Sequence, residues 1–262
     1  MEFFATAANL AVHIQDSKKG GKAVLLLHGY METMYIWNDL YDALKRDYRV
    51  IAIDLPGHGL SCSAPVNTIE LMATVAKAAL DLCEVKKATV VGHSLGGYVA
   101  LKCCELFPET FEKLVLLNSH PYPESEDFAP VREREINIIN SGRLLALADI
   151  SIPKMFHPNN LRRLDSKIRE VVELCETHDP SGIIASIKGL TKRSDMSSWL
   201  ESTSTPTLVV CGDSDGFMPS EMQLRMLEQF KNIQMVTLQE CGHNAFLECP
   251  DKCLELIREF VG

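Results

Sequence analysis

The amino-acid sequence predicts an α/β protein: a mostly parallel, doubly wound sheet carrying an inserted helical cap. Three observations predict it. Short, continuous apolar runs, of the kind buried on both faces of a sheet, recur through the first half of the chain. Segments with helical spacing lie between them, joined by short Gly and Pro turns, which implies right-handed crossovers onto parallel strands. After Ser119 the strand rhythm stops, and it returns only beyond Thr203. An all-helical block between two strands of one sheet reads as an insertion, so residues 1–119 and 204–262 form the core and 120–203 the cap.

The elements follow in order. Asn9 to Gln15 alternates apolar and polar residues, as an antiparallel edge strand does. Ala23-Val-Leu-Leu-Leu-His28 is a buried strand ending at Gly29. Trp37, Leu40, Tyr41 and Leu44 mark one face of a helix, and Tyr48 to Asp54 is a strand stopped by Leu55-Pro56-Gly57. A helix from Ile69 to Cys83 precedes a strand from Ala88 to Val91. The next helix, from Leu95 to Phe107, ends at Pro108, and Leu114 to Asn118 is the fourth buried strand. The cap opens with Pro121 and Pro123. It then carries a charged helix around Val131 to Asn140 and an amphipathic helix from Leu161 to Cys175. A third helix follows Asp179-Pro180, where Asp caps and Pro occupies the first turn. Strands at Thr207–Cys211 and Ile233–Leu238 and a helix from Pro250 to Phe260 complete the chain.

Composition narrows the function. The 262 residues are 46% hydrophobic and 23% charged, ordinary for a folded globular chain. With 26 basic and 35 acidic residues the formal net charge is −9, which disfavours nucleic acid and anionic membrane as partners. No apolar run approaches the roughly 18 residues of a membrane span, and the N-terminus lacks the basic and long apolar regions of a signal peptide. Nine scattered cysteines without a C-x-x-C pair suit a reducing cytoplasm better than a disulfide frame or a zinc site, and the eight histidines show no H-x-x-x-H spacing. The expected partner is a small-molecule substrate. The oligomeric state is not encoded in any pattern found.

Gly92-His93-Ser94-Leu95-Gly96-Gly97 lies between a strand and a helix and fits G-x-S-x-G. A nucleophile on such a turn has the chain folded closely on both sides, so glycines are required two residues before and after Ser94. A dinucleotide site would need G-x-G-x-x-G, and a phosphate loop a Lys-Ser/Thr pair; neither is present. Serine needs a base, and His243 in Cys241-Gly242-His243-Asn244 stands on a loop after a strand. His13, His157 and His178 have no strand-end context. His93, beside the nucleophile on a tight turn, packs or orients rather than accepts protons. The acid that fixes the base comes from Gly212-Asp213-Ser214-Asp215-Gly216, where either aspartate could serve. Two backbone N–H groups must stabilise the developing oxyanion: that of Leu95, and that of Tyr30 in His28-Gly29-Tyr30. Every role is filled by side chains and backbone, so no metal and no organic cofactor is implied.

Together His28-Gly29, Asp54-Leu-Pro-Gly-His-Gly59 with Ser61, Gly92 to Gly97, Gly212 to Asp215 and Gly242-His243 make the chain resemble the α/β-hydrolase superfamily, in its lid-bearing branch of esterases, cofactor-free haloperoxidase-like enzymes and carbon–carbon bond hydrolases. The resemblance runs from Ala23 to the C-terminus and omits the cap. It implies that the acid is Asp215, the fourth residue of G-x-x-D, and that Asp54 to Ser61 is a structural turn. A serine nucleophile, where related families carry aspartate, argues against epoxide hydrolase and haloalkane dehalogenase chemistry.

The pocket is expected at the carboxyl ends of the strands, under the cap. Tyr30, Met31, Trp37, His120, Phe156, Phe217, Met218 and Phe246, with Met155, are its expected lining and suit a small, largely apolar group. Arg132, Arg134, Arg143, Arg162 and Arg163 read as part of a solvated cap face, and the motif segments contain no Arg or Lys. The reaction expected is hydrolysis of a small carboxylic ester through an acyl-enzyme. Hydrolysis of a carbon–carbon bond or a lyase step by the same triad is the alternative, and a triad-retaining receptor for a small ligand is a third reading.

Overall fold

The computed structural model describes all residues from Met1 to Gly262. Eight strands are present: β1 (Glu2–Ala7), β2 (Leu10–Asp16), β3 (Ala23–Leu27), β4 (Arg49–Ile53), β5 (Ala88–His93), β6 (Phe111–Leu117), β7 (Thr207–Gly212) and β8 (Ile233–Leu238). They form one sheet in the order β1-β2-β4-β3-β5-β6-β7-β8. β1 and β2 pair antiparallel, as do β2 and β4; every pair from β4 to β8 is parallel. The strand expected at the sheet edge is therefore second from it. Its outer partner β1 is a half-exposed strand joined to β2 through Ala8 and Asn9, both with φ near +50° to +70°.

Helices cover both faces. α1 (Asn38–Leu44) and α2 (Ile69–Leu82) precede α3 (Leu95–Leu106). Between β6 and β7 there are only helices: α4 (Ala129–Asn140), α5 (Leu144–Ser151), α6 (Asp165–Leu174), α7 (Pro180–Leu190) and α8 (Ser197–Ser202). α9 (Ser220–Gln229), the short α10 (Ala245–Glu248) and α11 (Pro250–Val261) complete the chain. The pleat of β3 shows how the sheet is used. Ala23, Leu25 and Leu27 face a core shared with α2 and α3, whereas Val24 and Leu26 face a second core shared with α1 and α11.

α7 seats the helical segment on the core. Asp179 caps it by accepting from the Ser181 N–H, and Gly182, Ser186 and Gly189 align on one face. That face meets the loop after β4: Asn67 Nδ2 donates to Ser186 Oγ at 3.0 Å and to Gly182 O at 3.3 Å. A side chain at Gly189 would collide with the Asn67 backbone.

The sheet register brings the functional segments together. Leu27 lies opposite both Ile53 and Gly92, and Leu117 opposite both His93 and Val210. β3 has β4 on one side and β5 on the other, so the crossover direction reverses there. The crevice outside the carboxyl ends of β3 and β5 is the topological switch point, where open α/β sheets bind ligands.

Candidate active site

Ser94 caps α3 with φ 48° and ψ −113°, the strained turn expected of it. A side chain at Gly92 would run into the Gly96 backbone, and one at Gly96 into the backbone of Leu27 and His28. The two glycines thus allow helix, elbow and β3 to touch. Ser94 opens onto a cavity of about 180 Å³ that His243 also lines. The Ser94 hydroxyl has no hydrogen bond to another protein group, and the N–H groups of Leu95 and Tyr30 are likewise free. They lie after β5 and after β3, on the two sides of the switch point.

His243 stands on the loop after β8. Its Nδ1 donates to Asp215, 2.9 Å from each carboxylate oxygen. Asp215 is nearly inaccessible and accepts three further bonds: from Phe217 N at 2.8 Å, from Met218 N at 3.1 Å and from Asn118 Nδ2 at 2.9 Å. Burial works to raise its pKa, but the imidazole charge and these donors outweigh it and hold the carboxyl below its ordinary value. Asp213 meets Ser214 and the Cys241 N–H instead, and does not touch His243. The residues thus separate the two aspartates that the sequence left open.

Asn118 was not legible as a site residue. It follows β6 with φ 48°, and its amide also donates to Gly242 O at 3.0 Å while its oxygen accepts from Ala245 N at 3.3 Å. One side chain so joins the Asp215 turn to both sides of His243. Asparagine's tolerance of positive φ at a strand end was the available signal. Glu248 was missed as well. Its buried carboxylate accepts from Gly242 N (2.7 Å), His157 N (2.8 Å) and Asn160 Nδ2 (2.7 Å), while His243 N donates to Met155 O at 2.6 Å. The His243 loop is therefore bonded directly to the helical segment above it.

Tyr30, Met31, His120, Phe217 and Met155 line the cavity as expected. Trp37, Phe156, Met218 and Phe246 do not. Met218 is fully buried in the core shared with α2 and α3. Phe156 is buried on the other face, and Trp37 packs on Phe246 with ring centres 4.5 Å apart. Large apolar residues beside a strand end fill the nearest core before they line a cavity, and pattern alone does not tell the two apart.

Charge is the second correction. Arg132 belongs to the cavity wall, where it donates to Glu124 (2.8 Å) and Glu135 (2.9 Å). Arg193, not singled out by the sequence, donates to Glu124 at 3.2 Å and lies 4.3 Å from the centre of the Tyr98 ring. Arg134, Arg143, Arg162 and Arg163 are exposed as expected. Two guanidinium groups and two carboxylates give this wall a balanced charge. His120 Nδ1 accepts from Tyr122 N at 3.2 Å, which leaves Nε2–H to face Tyr98 Oη at 3.2 Å. Burial, with Arg193 adding to it, pushes the His120 pKa down to about 3, so this histidine is neutral at neutral pH.

Two other histidines, His28 in a motif and His13 outside any, are held by hydrogen bonds away from the cavity. His28 Nε2 accepts from Leu55 N, and His13 lies between Asp54 and Glu2. Asp54 in turn accepts from Met34 N and Leu60 N, and Ser61 Oγ donates to Asp54 O at 2.7 Å, so the Asp54–Ser61 segment is a hydrogen-bonded turn.

A sequence profile described as the alpha/beta hydrolase family matches residues 24–256. Among curated proteins, the chain is 27% identical over 270 residues to a 2-hydroxy-6-oxononadienedioate/2-hydroxy-6-oxononatrienedioate hydrolase of Paraburkholderia phymatum, covering 97% of this chain and 91% of the relative. It is 27% identical over 247 residues to a pimeloyl-[acyl-carrier protein] methyl ester esterase of Neisseria meningitidis, covering 92% and 93%. Among solved structures, a thermophilic esterase from Thermogutta terrifontis superposes with a TM-score of 0.92 at 26% identity, covering 100% of this chain and 98% of that one.

Proposed function

The chain belongs to the alpha/beta hydrolase family, and from that premise we propose that it is a serine hydrolase of small carboxylic esters with a mainly apolar acyl group, working through an acyl-enzyme. Ser94 Oγ attacks the ester carbonyl while His243 Nε2 takes its proton. The oxyanion forms against the Tyr30 and Leu95 N–H groups, neither of which has a competing partner. His243 returns the proton to the leaving alcohol, then activates the water that releases the acid. Asp215 keeps the Nδ1–H tautomer in place and balances the imidazolium; because its carboxyl lies below the usual range, it remains ionised at neutral pH. In this reading residues 120–203 act as the lid that excludes water. A reducing compartment belongs to this reading, since the nine cysteines are odd in number and include no C-x-x-C pair. No helix is long and apolar enough to cross a membrane.

The observation that carries the proposal is the buried Asp215–His243 pair facing, across one cavity, a serine held in an elbow conformation. Catalytic hydrogen bonds in unliganded enzymes are often open and close on substrate, so the free Ser94 hydroxyl suits the role. A second reading has one specific support. The Paraburkholderia relative is named for cleaving a dioate, and the cavity wall here contains Arg132 and Arg193, which could face a carboxylate. Both, however, already bind Glu124, and this balance favours a neutral ester. Turnover of nitrophenyl acetate or butyrate that Ser94→Ala abolishes supports ester hydrolysis. Inert esters with rapid cleavage of a vinylogous diketone would transfer the proposal to carbon–carbon bond hydrolysis.

A further inference from the structure

His93 is fully buried next to Ser94, yet both its ring nitrogens are engaged. Nδ1 lies 3.0 Å from Glu32 Oε2, and Nε2 lies 2.9 Å from the backbone carbonyl of His243. A carbonyl oxygen can only accept, so Nε2 must carry a proton. Glu32 Oε2 also accepts from Gly29 N at 2.6 Å, and these contacts hold the carboxyl below its usual value and ionised, so Nδ1 carries a proton too. A side chain at Gly29 would strike both His93 Nδ1 and Glu32, which accounts for glycine beside His28. Three pieces of the proposed machinery therefore meet at one ion pair: the loop carrying the Tyr30 N–H, the turn carrying Ser94, and the loop carrying His243.

We propose that Glu32 and a doubly protonated His93 are positioning residues that hold the oxyanion loop and the base loop in register with Ser94. The inference rests on the hydrolase reading only for its kinetic consequence. Neither group touches the cavity. Trp37 and Phe246 lie against the His93 ring, with centroids 6.5 Å and 4.9 Å away, and wall the pair from water. The charged and titratable groups acting on His93 are Glu32, His28, His243 and Asp215. Burial lowers its pKa, but Glu32, the His243 carbonyl and Asp215 outweigh burial and hold it above the ordinary histidine value. Glu32 moves the opposite way, pulled below its usual value by His93 and the Gly29 N–H against the effect of burial. Deprotonation of His93 would remove the Glu32 pairing and reorganise one of its two bonds. The support is thus complete below the ordinary histidine value of 6.5 and is lost as pH rises from there through the raised His93 pKa.

Two measurements test this. Imidazole nitrogen NMR of the unmodified protein at neutral pH should show a histidine with both nitrogens protonated, assigned to His93 by its loss in His93→Gln. A singly protonated tautomer would overturn the proposal. Glu32→Gln keeps the shape and the acceptor for Gly29 N while removing the charge. It should lower kcat for a nitrophenyl ester by roughly tenfold to a hundredfold, the scale of a small misplacement of catalytic groups. KM should stay within about threefold, and the alkaline fall in kcat should move to lower pH. A folded Glu32→Gln variant with unaltered kcat and alkaline limb refutes the positioning role, because general loosening would not displace a titration. If the unmodified protein turns over no ester, the ester-hydrolase reading fails, while the NMR result still decides the ion pair.

Discussion

Replacing Asp215 by Asn tests how the base is held. The carboxylate accepts four N–H groups: His243 Nδ1, Asn118 Nδ2, Phe217 N and Met218 N. An Asn side chain supplies one acceptor oxygen and one NH₂ donor. If the NH₂ takes the Oδ2 position it faces the Asn118 NH₂; in the Oδ1 position it faces two backbone N–H groups. Asn118 cannot turn over to relieve the clash without losing its bonds to Gly242 O and Ala245 N. The least disrupted arrangement has the NH₂ donating to His243 Nδ1, which forces the proton onto Nε2 and removes the lone pair that Ser94 needs. Loss of the correct tautomer costs about 10⁴ in kcat in a comparable triad, equivalent to about 5.5 kcal/mol of barrier. Steady-state hydrolysis of nitrophenyl butyrate by Asp215→Asn should fall on that scale with folding retained, judged by the far-UV spectrum. Asp213→Asn should stay within about threefold of the unmodified enzyme, because Asp213 holds only a surface turn. A folded Asp215→Asn protein retaining a tenth or more of the activity would refute the assignment.

Glu248→Ala leaves the N–H groups of Gly242 and His157 without their acceptor, at about 1–3 kcal/mol for each buried loss. A lower Tm and faster proteolysis between α4 and α7 should follow, and an unchanged Tm would contradict the bonding described. Gly96→Ala drives a methyl group into the β3 backbone at a cost of about 1–3 kcal/mol or more, and calorimetry should show the loss even with Ser94 intact. Asp16, bonded to Arg49 at 2.7 Å and to Lys18, has its pKa lowered to about 2 despite the opposing effect of burial. A depressed carboxyl pKa stabilises the fold above the unfolded value of 3.8, and that contribution is lost as pH falls toward 2. Asp16→Asn should therefore lower stability at neutral pH, by at most about 2 kcal/mol before screening, and the gap to the unmodified protein should close in acid. A gap independent of pH would exclude the ion pair as its source.

The segments that meet at the candidate site were legible because each is a local solution to a backbone problem. Gly92 and Gly96 around Ser94 announce a turn that no other residues permit, and the apolar runs of β3 to β7 announce strands covered on both faces. Features set by distant parts of the chain were harder to read. β1 shows only a weak alternation around Phe3 and Phe4, and its partner β2 was legible while its true neighbours were not. Asn118 looks like an ordinary strand end until Asp215, Gly242 and Ala245 are brought to it. Trp37 and Phe246 are aromatic residues near strand ends, and only packing shows that they enclose His93 instead of the cavity. Arg132 pairs with Glu124 and Glu135, both within eight residues of it, and reads as part of a solvated helix face until the fold sets that helix against the cavity and brings Arg193 to Glu124.

The account stands most directly on Ser94 as the nucleophile. Incubation of the folded protein with a fluorophosphonate probe, followed by peptide mass mapping, should give one adduct, on Ser94, with esterase activity lost in proportion to labelling. Full activity alongside an unlabelled Ser94, or a stoichiometric adduct on another residue that accounts for inactivation, would contradict it.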